Sequence, residues 1–433
     1  MEQIIFHIDV NSAYLSWSSL KRLENGDDTD LRKIPAIVGG DMERRHGVVL
    51  AKSIPAKKYG IVTGEPIVNA LRKCPGLVIE SPDHKLYNQK SRELMHFLSE
   101  ICPDIEQLSV DECFLDFTSI QNRFPSPNDA AQTIKNKIRA SFGFTVNIGI
   151  SDKKVLAKMA SDFKKPDLVH TLYSREIREK MWPMPVSSLY MCGKSSTEAL
   201  RKLEIKTIGD LAKTDREIIV SHLKSHGLLL WEYANGIDDS AVVSVPAEAK
   251  GIGNSITLPR DVTEEKEAFH YLLSLSDSVA GRLRKAGQLA GMISVEIKYS
   301  NFKTASHQMT LSSPSDISRV IYDASCQLFR ELWNGSPIRL LGVRSSKLAD
   351  PSEPSQLSLF DFGQTGILPA NPPAPSGGAA QTSFIPSAPA RQSKNSPAFP
   401  SREKLAALDK TLDAIRQKYG DSAVVRGSFL DED

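Results

Sequence analysis

Buried strands followed by amphipathic helices are the main pattern in the first half of the chain. The run IIFHIDV has the continuous apolar character of a buried strand, and the segment NSAYLSWSSLKRL after it has helical spacing. The run FTVNIGI predicts another buried strand, and the segment VLAKMASDF places its apolar residues on one face of a helix. Strands interleaved with helices predict an α/β or α+β fold.

A proline-rich stretch separates the folded part of the chain from a short C-terminal helix. Residues 349–400 contain ten of the 25 prolines and lack a periodic apolar pattern, which predicts a disordered tether. The segment REKLAALDKTLDAIRQKYG beyond it has helical spacing, and Gly420 is the predicted end of that helix. The folded body therefore spans about residues 1–348, a length that predicts several domains.

Composition and charge indicate an ordinary globular protein. The chain has 433 residues, 40% of them hydrophobic, and its apolar runs are far shorter than the roughly 18 residues of a membrane-spanning helix. We expect a cytoplasmic protein without a membrane partner, since the N-terminus lacks a secretory signal. The five cysteines are far apart, which argues against disulfides and a zinc site. The net charge of +2 alone is too small to indicate a nucleic-acid partner.

Three carboxylates stand in apolar surroundings. Asp9 ends the first predicted strand, and Asp111 and Glu112 lie within the apolar segment QLSVDECFLDF. Burying ionised carboxylates costs free energy unless a cation offsets it, so the three acids predict a divalent-metal site. Their oxygen ligands favour magnesium over zinc. Two such ions can activate a 3′-hydroxyl and stabilise a leaving pyrophosphate.

The spacing of these acids imposes a geometric condition. Neighbouring residues on a regular strand point to opposite faces of the sheet. Asp111 and Glu112 can therefore reach Asp9 together only at a bulge or a hairpin turn, and we predict that irregularity. Asp116 is the alternative ligand, although a structural role at a strand end is the simpler interpretation for it. An isolated Asp9 would also fit a helix cap.

Three longer motifs, taken in their order and spacing, resemble a known enzyme family. They are DVNSAY at residues 9–14, SVDECFLD at 109–116 and IGISDKKVLAKMASDFKKP at 148–166. Together they resemble the Y-family DNA polymerases, the translesion enzymes, and most closely the bacterial DNA polymerase IV branch. The resemblance covers nearly all of residues 1–348.

The resemblance implies that the carboxylates are catalytic metal ligands. Asp9, Asp111 and Glu112 match the family's ligands, and Val10 matches the residue that gives its backbone carbonyl to the metal. We therefore expect two Mg²⁺ ions as cofactors. The implied substrates are primer–template DNA and a deoxynucleoside triphosphate.

The same resemblance implies the right-hand architecture of a polymerase. We expect an α+β multidomain fold with palm, fingers, helical thumb and little finger, and a disordered C-terminal tether. The implied boundaries are 1–10 and 80–168 for the palm, 11–79 for the fingers, 169–238 for the thumb, 245–348 for the little finger, 349–400 for the tether and 401–433 for the C-terminal helix and tail.

Four residues match nucleotide-binding positions of the family. Tyr14 matches the steric gate, a ring that rejects ribonucleotides by collision with the 2′-hydroxyl, although it also fits a core position on the first helix. Lys165 matches a phosphate-binding lysine, and a solvated lysine at a helix end is the alternative. Ile54 and Lys57 depart from the Tyr and Arg that DNA polymerase IV-like members commonly have. Lysine keeps the positive charge without arginine's bidentate fork, and isoleucine cannot donate a hydrogen bond.

Two further regions are predicted to contact the DNA backbone. The segment SSLYMCGKSSTEALRKLEIKTIGDLAKT at 187–214 resembles a helix-hairpin-helix, in which Gly193 and Lys194 would present a helix N-terminus to phosphate. A purely structural helix pair is the alternative. In the segment RLRK, Arg282 and Arg284 would add positive charge to the little finger and make DNA binding salt-sensitive.

The pentapeptide QLSLF at the start of the predicted tether matches the bacterial sliding-clamp binding motif. Gln356 would fix orientation, and Leu357, Leu359 and Phe360 would fill an apolar pocket. Its place beyond the last folded domain suits a tethering mechanism. We therefore expect a sliding clamp as a partner of a monomeric enzyme.

Two other functions remain open on the acids alone. A metal-dependent nuclease or phosphatase would use the same carboxylates but would leave Tyr14, the hairpin and QLSLF unexplained. An inactive DNA-binding scaffold would not need the intact acids. The resemblance favours a low-fidelity, template-directed DNA polymerase for translesion synthesis.

Overall fold

The protein folds into two compact units, residues 1–247 and 248–433. The structure is a computed structural model that describes residues 3–40, 47–245, 248–352, 401–420 and 423–424. The pentapeptide at 356–360 and most of the predicted tether lie outside the described residues. None of the described helices is long and apolar enough to cross a membrane. All five cysteines are buried free thiols, as predicted.

The described strands of the first unit form two sheets. A five-stranded sheet has the order β5-β6-β1-β7-β8, and a three-stranded sheet has the order β3-β2-β4. The strands are β1 (Ile5–Val10), β2 (Ala36–Gly39), β3 (Val49–Lys52), β4 (Val78–Glu80), β5 (Ile105–Gln107), β6 (Glu112–Asp116), β7 (Val146–Ser151) and β8 (Val169–Thr171).

The helices of the first unit follow the predicted α/β pattern and then form a helical region. Short 3₁₀ turns lie at Thr118–Arg123, Ser174–Glu176 and Val186–Ser188. The described helices are α1 (Ala13–Glu24), α2 (Ile54–Lys58), α3 (Ile67–Lys73), α4 (His84–Ile101), α5 (Pro127–Phe142), α6 (Lys154–Ser161), α7 (Ile177–Lys180), α8 (Lys194–Lys202), α9 (Ile208–Lys213) and α10 (Arg216–Ala234).

Strand β1 is the centre of the five-stranded sheet. It is antiparallel to both β6 and β7, and all six of its residues are buried. A core cluster that includes Phe6, Trp17 and Phe144 packs helices against this sheet. Separate clusters lie around the three-stranded sheet and among α6 to α10. Asp9 therefore lies in a strand that has neighbours on both edges.

Gly149 allows helix α6 to lie directly against the central sheet. A Cβ at this position would be 1.9 Å from the carbonyl oxygen of Ala157 and 2.5 Å from the backbone nitrogen of Ser161. Gly149 is opposite His7 of β1 in the β1–β7 register. Glycine is the residue that permits such a close backbone approach, and the result is that α6 lies beside the strand that carries Asp9.

The second unit is a four-stranded antiparallel sheet with helices packed on it. Its order is β11-β10-β12-β9, and the alternating segment SVEIKYSNFKTASHQMTL forms most of the antiparallel pair β10 and β11. The elements are β9 (Gly251–Val262), α11 (Glu265–Ala286), β10 (Leu289–Tyr299), β11 (Thr304–Ser315), α12 (Ser318–Leu332), β12 (Ile338–Ala349) and α13 (Arg402–Tyr419).

Helix α13, the predicted C-terminal helix, docks on the second unit through a buried acid. Asp409 is 4% exposed and accepts a hydrogen bond of 2.7 Å from the backbone N–H of Ser318, the first residue of α12. Arg284 of α11 donates to Asp409 at 3.3 Å and to Asp413 at 2.5 Å. Because no side chain of α12 caps its own N-terminus, Asp409 supplies the acid that this helix end favours.

The contacts of α13 bear on two residues considered in the sequence. The DNA contact of Arg284 stays a prediction, and in the structure its side chain is only 10% exposed and its guanidinium is engaged by Asp409 and Asp413. Within α13, Leu408 belongs to the apolar residues at helical spacing but is 50% exposed, whereas its neighbour Asp409 is buried. A buried ion pair formed by residues 125 positions apart has no local sequence signal.

The Asp409 contact predicts a measurable loss of stability. Asp409→Ala would leave the Ser318 N–H without its acceptor and Arg284 with one carboxylate fewer to offset its charge. We therefore expect the free energy of unfolding of the second unit to fall by about 1–3 kcal/mol. Thermal unfolding of the full chain measures the loss of stability. The rate of limited proteolysis between residues 352 and 401 reports how firmly α13 is docked. Leu408→Ala is the control and should stay within about 0.5 kcal/mol of wild type. Equal stability of Asp409→Ala and Leu408→Ala would contradict the docking role.

Candidate active site

Asp9 and Glu112 lie directly opposite each other on adjacent antiparallel strands. The register of β1 and β6 pairs them, and residues paired in this way project from the same face of a sheet. Asp111 precedes β6 in the turn after β5, where the backbone N–H groups of Leu108 and Ser109 both donate to the carbonyl of Glu112. The predicted irregularity is therefore confirmed as a hairpin turn.

The backbone of this turn is tied to the end of β1. The N–H of Val10 donates to the carbonyl of Asp111 at 3.1 Å, immediately beyond the Asp9–Glu112 pair. The hydroxyl of Ser109 donates to the Asp111 carboxylate at 2.7 Å. These bonds hold the Asp111 side chain next to the C-terminal end of the central strand.

Asp116, the alternative ligand, lies at the other end of β6. It is paired with Ile5, and its carboxylate accepts a hydrogen bond of 3.0 Å from the N–H of Thr118. Asp116 therefore holds the first residue of the 3₁₀ turn after the strand. This is the structural role at a strand end, and not that of a metal ligand.

Lysine ammonium groups engage two of the three carboxylates. Lys165 donates to Asp9 and also to Asp162, at 2.8 Å in the second case. Lys158 donates to Glu112 at 2.7 Å. In the part of the chain that the structure describes, no three acidic, histidine or cysteine side chains are grouped closely enough to hold a metal ion. The acids thus share one edge of the sheet without converging on a single point.

The electrostatics of the acids suit a bound cation. Burial raises the pKa of the Asp9 carboxyl to about 7, and Lys165 opposes this rise while Glu112 and Asp111 add to it. Burial also raises the pKa of Asp111, with a contribution from the charge of Glu112. A raised pKa means that the ionised form is disfavoured, and a divalent cation would offset that cost. Because the donors are all oxygens, they fit magnesium.

Lys158 and His7 form a buried network that the sequence did not predict. Lys158 is 8% exposed, and its ammonium lies 3.5 Å from Nε2 of His7, whose Nδ1 is 2.8 Å from the hydroxyl of Ser161. Burial, followed by the charges of Lys158 and Lys165, lowers the pKa of His7, so the ring is neutral. The available signal was a single charged residue in the otherwise uncharged stretch VLAKMAS of α6.

A cleft of about 580 Å³ opens beside these acids. Its lining includes Asp9, Val10, Tyr14, Asp111 and Lys165, together with residues of β3 and α2. Glu112 does not line it and instead bonds to Lys158 of α6. The structure therefore brings together most of the predicted metal and nucleotide positions in one cleft.

Tyr14 is both a cleft residue and part of the core boundary. Its ring stacks on Tyr87 with centroids 4.3 Å apart and planes 7° apart. The Tyr87 hydroxyl is in turn 2.8 Å from the hydroxyl of Ser18. Tyr14 is half-buried, so one side of the ring packs while the residue still faces the cleft. A ring fixed in this way is suited to act as a rigid wall.

Helix α2 places Ile54 and Lys57 in the lining of the same cleft. The hydroxyl of Ser53 caps this helix by accepting from the N–H of Ala56 at 3.0 Å. Ile54 is 50% exposed and Lys57 is exposed. Both line the cleft that contains Asp9, and their contact with a nucleotide stays a prediction.

Of the remaining predicted DNA contacts, Gly193 and Lys194 lie at the start of α8. Both are exposed, and no side chain caps this helix end. Its free amides leave room for an anion such as a backbone phosphate. Arg282 in the second unit is also exposed, although its guanidinium donates to the carbonyl of Gly253 at 2.7 Å.

Two family models match the chain. The model of the impB/mucB/samB family matches residues 8–162, and the model of that family's C-terminal domain matches residues 249–359. The first contains the acids Asp9, Asp111 and Glu112, and the second covers most of the four-stranded sheet unit.

Curated relatives and a solved structure agree with these matches. The DNA polymerase IV of Clostridium acetobutylicum is 42% identical over 433 residues and covers 100% of both chains. Those of Clostridium kluyveri and Bacillus velezensis are 33% and 35% identical, covering 99% and 83% of this chain and 99% and 86% of their own. A solved chimera of Y-family DNA polymerases has the same fold, with a TM-score of 0.69, 20% identity and coverage of 80% of this chain and 99% of its own. The chain therefore belongs to the Y-family DNA polymerases, within the bacterial DNA polymerase IV group.

Proposed function

We propose that this protein is a template-directed DNA polymerase that extends primer 3′ ends with low fidelity during translesion synthesis. The observation that supports this most directly is one cleft that contains two strand-end carboxylates, a stacked tyrosine and several lysines. A nuclease would need the carboxylates but has no use for a tyrosine wall in the same cleft as the lysines. Relatives of full length that are named DNA polymerase IV favour the same function.

The proposed metal ligands are Asp9, Asp111, Glu112 and the carbonyl of Val10. Two Mg²⁺ ions bound there would favour loss of the proton from the attacking 3′-hydroxyl and would offset the negative charge of the leaving pyrophosphate. For Asp9 and Glu112 to serve as ligands, they must exchange their bonds to Lys165 and Lys158 for the ions. Lys165 would then be free to donate to a phosphate oxygen.

The chain's own side chains bind and orient the nucleotide. Lys57 and Lys165 stand in the cleft with Asp9, so their ammonium groups can hold the triphosphate beside the acids. Before ions bind, Lys158 holds Glu112 on the sheet face that it shares with Asp9, through a part-buried bond of 2.7 Å. Tyr14, supported by Tyr87, excludes a 2′-hydroxyl by collision.

The domain assignments follow from where these groups lie. We propose that residues 1–10 and 80–168, which contain four strands of the five-stranded sheet, are the palm and that residues 11–79, with most of the three-stranded sheet, are the fingers. Residues 169–238, with α7 to α10, would be the thumb, and residues 245–348 the little finger. Gly193 and Lys194 would hold a DNA phosphate at the start of α8, and Arg282 would add positive charge on the second unit.

The partners beyond the substrates come from the sequence motif. We propose that Gln356, Leu357, Leu359 and Phe360 bind a bacterial sliding clamp, and that the protein acts as a monomer in the cytoplasm. The motif begins four residues after Ser352, the last described residue before it. A short connection of this kind raises the effective concentration of the enzyme at the primer end that the clamp encircles.

The first prediction tests catalysis by the carboxylates. Wild-type protein with Mg²⁺ should lengthen a primer on an undamaged template, and Asp111→Asn should lower that rate by more than about 100-fold because it removes charge that the reaction needs. Asp116→Asn is the control, since this acid lies at the far end of the same strand. Shortened primers would support a nuclease instead, and equal loss in both variants would contradict the assigned site.

The second prediction concerns sugar discrimination. Tyr14→Ala should raise ribonucleotide incorporation relative to deoxynucleotide incorporation by roughly 10- to 100-fold, because one steric contact is worth about 1–3 kcal/mol. Tyr14→Phe keeps the ring and should retain the discrimination of wild type. Primer extension with each nucleotide type gives the ratio. An unchanged ratio in Tyr14→Ala would show that the ring is only a core residue.

The third prediction tests the clamp motif. Alanine at both Leu359 and Phe360 should remove stimulation of primer extension by a bacterial sliding clamp and leave unstimulated extension at the wild-type rate. Alanine at both Ile367 and Leu368, apolar residues of the same segment, is the matched control and should keep the stimulation. Loss of unstimulated extension in the Leu359 and Phe360 variant, or full stimulation of it, would count against tethering.

A further inference from the structure

Lys52 is a cation of the cleft to which no motif assigns a role. It is the last residue of β3, it is half-buried, and its ammonium donates to the hydroxyl of Thr63 at 3.1 Å. It lines the same cleft as Asp9, Asp111 and Lys57. A lysine at this place therefore faces the region where the nucleotide is proposed to bind.

Within the part of the chain that the structure describes, Lys52 has no ion-pair partner. Among the described residues, no carboxylate lies within salt-bridge distance of Lys52 or of Lys57. Glu65, whose charge acts on Lys52, is already bonded to Lys73 at 2.6 Å and to the N–H of Val62 at 2.8 Å. Burial, and then the charge of Lys57, lowers the pKa of Lys52. Two ammonium groups are thus held near each other in a cleft, an arrangement that an anion would stabilise.

The wall of the cleft formed by α2 is poor in other donors. Ile54 is exposed there and has no hydrogen-bonding side chain, and Lys57 offers one ammonium point charge where an arginine would offer a planar fork. A triphosphate presents many acceptor oxygens and several negative charges. One lysine on this wall is a weak match for that ligand, and a second lysine improves the match.

We infer that Lys52 is a phosphate-binding residue that acts with Lys57 on the triphosphate of the incoming nucleotide. This role rests on the proposed polymerase function and extends it to a residue outside the motifs. Thr63 fixes the Lys52 ammonium at the cleft through its hydroxyl. The ligand chemistry is a polyphosphate anion, and the nucleotide is favoured over DNA as its source because the same cleft contains Asp9 and Asp111.

The test uses the full chain bound to primer–template DNA, with Lys52→Ala and Lys52→Arg compared with wild type. Lys52→Ala should raise the KM for each of the four deoxynucleoside triphosphates about tenfold and change kcat by less than about twofold, as expected for one lost charged contact. Lys52→Arg keeps the positive charge and should have a KM close to the wild-type value. Lys58→Ala removes a neighbouring exposed lysine that does not line the cleft, and it should behave as wild type.

A binding measurement separates this role from an effect on turnover. With a dideoxy-terminated primer, the Kd of a correct deoxynucleoside triphosphate should rise about tenfold in Lys52→Ala, while the Kd of the DNA itself should stay within about twofold of wild type. Lys52→Met keeps the length of the side chain and should reproduce these values. It replaces Lys52→Ala if that variant fails to fold, as judged by thermal unfolding.

Three results would overturn the inference. An unchanged nucleotide Kd would mean that Lys52 binds no phosphate. A raised Kd for DNA with an unchanged Kd for the nucleotide would assign the lysine to the DNA backbone. A raised nucleotide Kd opposite one template base alone would assign it to recognition of the base. Failure of the wild-type protein to extend any primer would instead refute the proposed function, so the two failures are distinct.

Discussion

The pairing of buried carboxylates with lysines at the end of the central strand is the interaction on which the site depends. Asp9 and Glu112 are fixed on one face by the β1–β6 register, and Lys165 and Lys158 offset their charge. Such charges are costly to bury without partners. Gly149 contributes indirectly, since its missing side chain lets α6 carry Lys158 to the sheet. The buried negative charge that attracts these lysines would also attract divalent ions.

The remaining residues of the cleft add a rigid aromatic surface and further positive charge beside these acids. Tyr14 follows β1 on the next helix and is held flat against Tyr87, so the strand that carries Asp9 also places the tyrosine wall. Strand β3 and helix α2 form another part of the lining, to which they contribute Lys52 and Lys57. A substrate that carries both a sugar and several phosphates fits between a rigid ring and a group of cations. This combination favours nucleotide transfer over simple phosphate hydrolysis.

The sequence predicted features that local patterns encode and missed those created by distant packing. The strand ending at Asp9 and the hairpin turn at Asp111 were predictable, because a continuous apolar run and the opposite facing of neighbours are local rules. Lys158 was missed, since only its packing against His7 reveals that a helix lysine is buried. The pairing of Arg284 with Asp409 was also missed, because Asp409 comes from a helix beyond the proline-rich stretch. Periodicity likewise does not distinguish a buried acid from a solvated one.

The most direct measurement is a crystal structure of the protein with primer–template DNA, a non-hydrolysable deoxynucleoside triphosphate and Mg²⁺. Oxygens of Asp9 and Asp111 should lie about 2.0–2.1 Å from an ion, with Glu112 also on a metal. Glu112 should have released Lys158, and Lys165 should have moved from Asp9 to a phosphate oxygen. A complex in which Glu112 remains on Lys158, Lys165 remains on Asp9 and no ion contacts these acids would contradict the account.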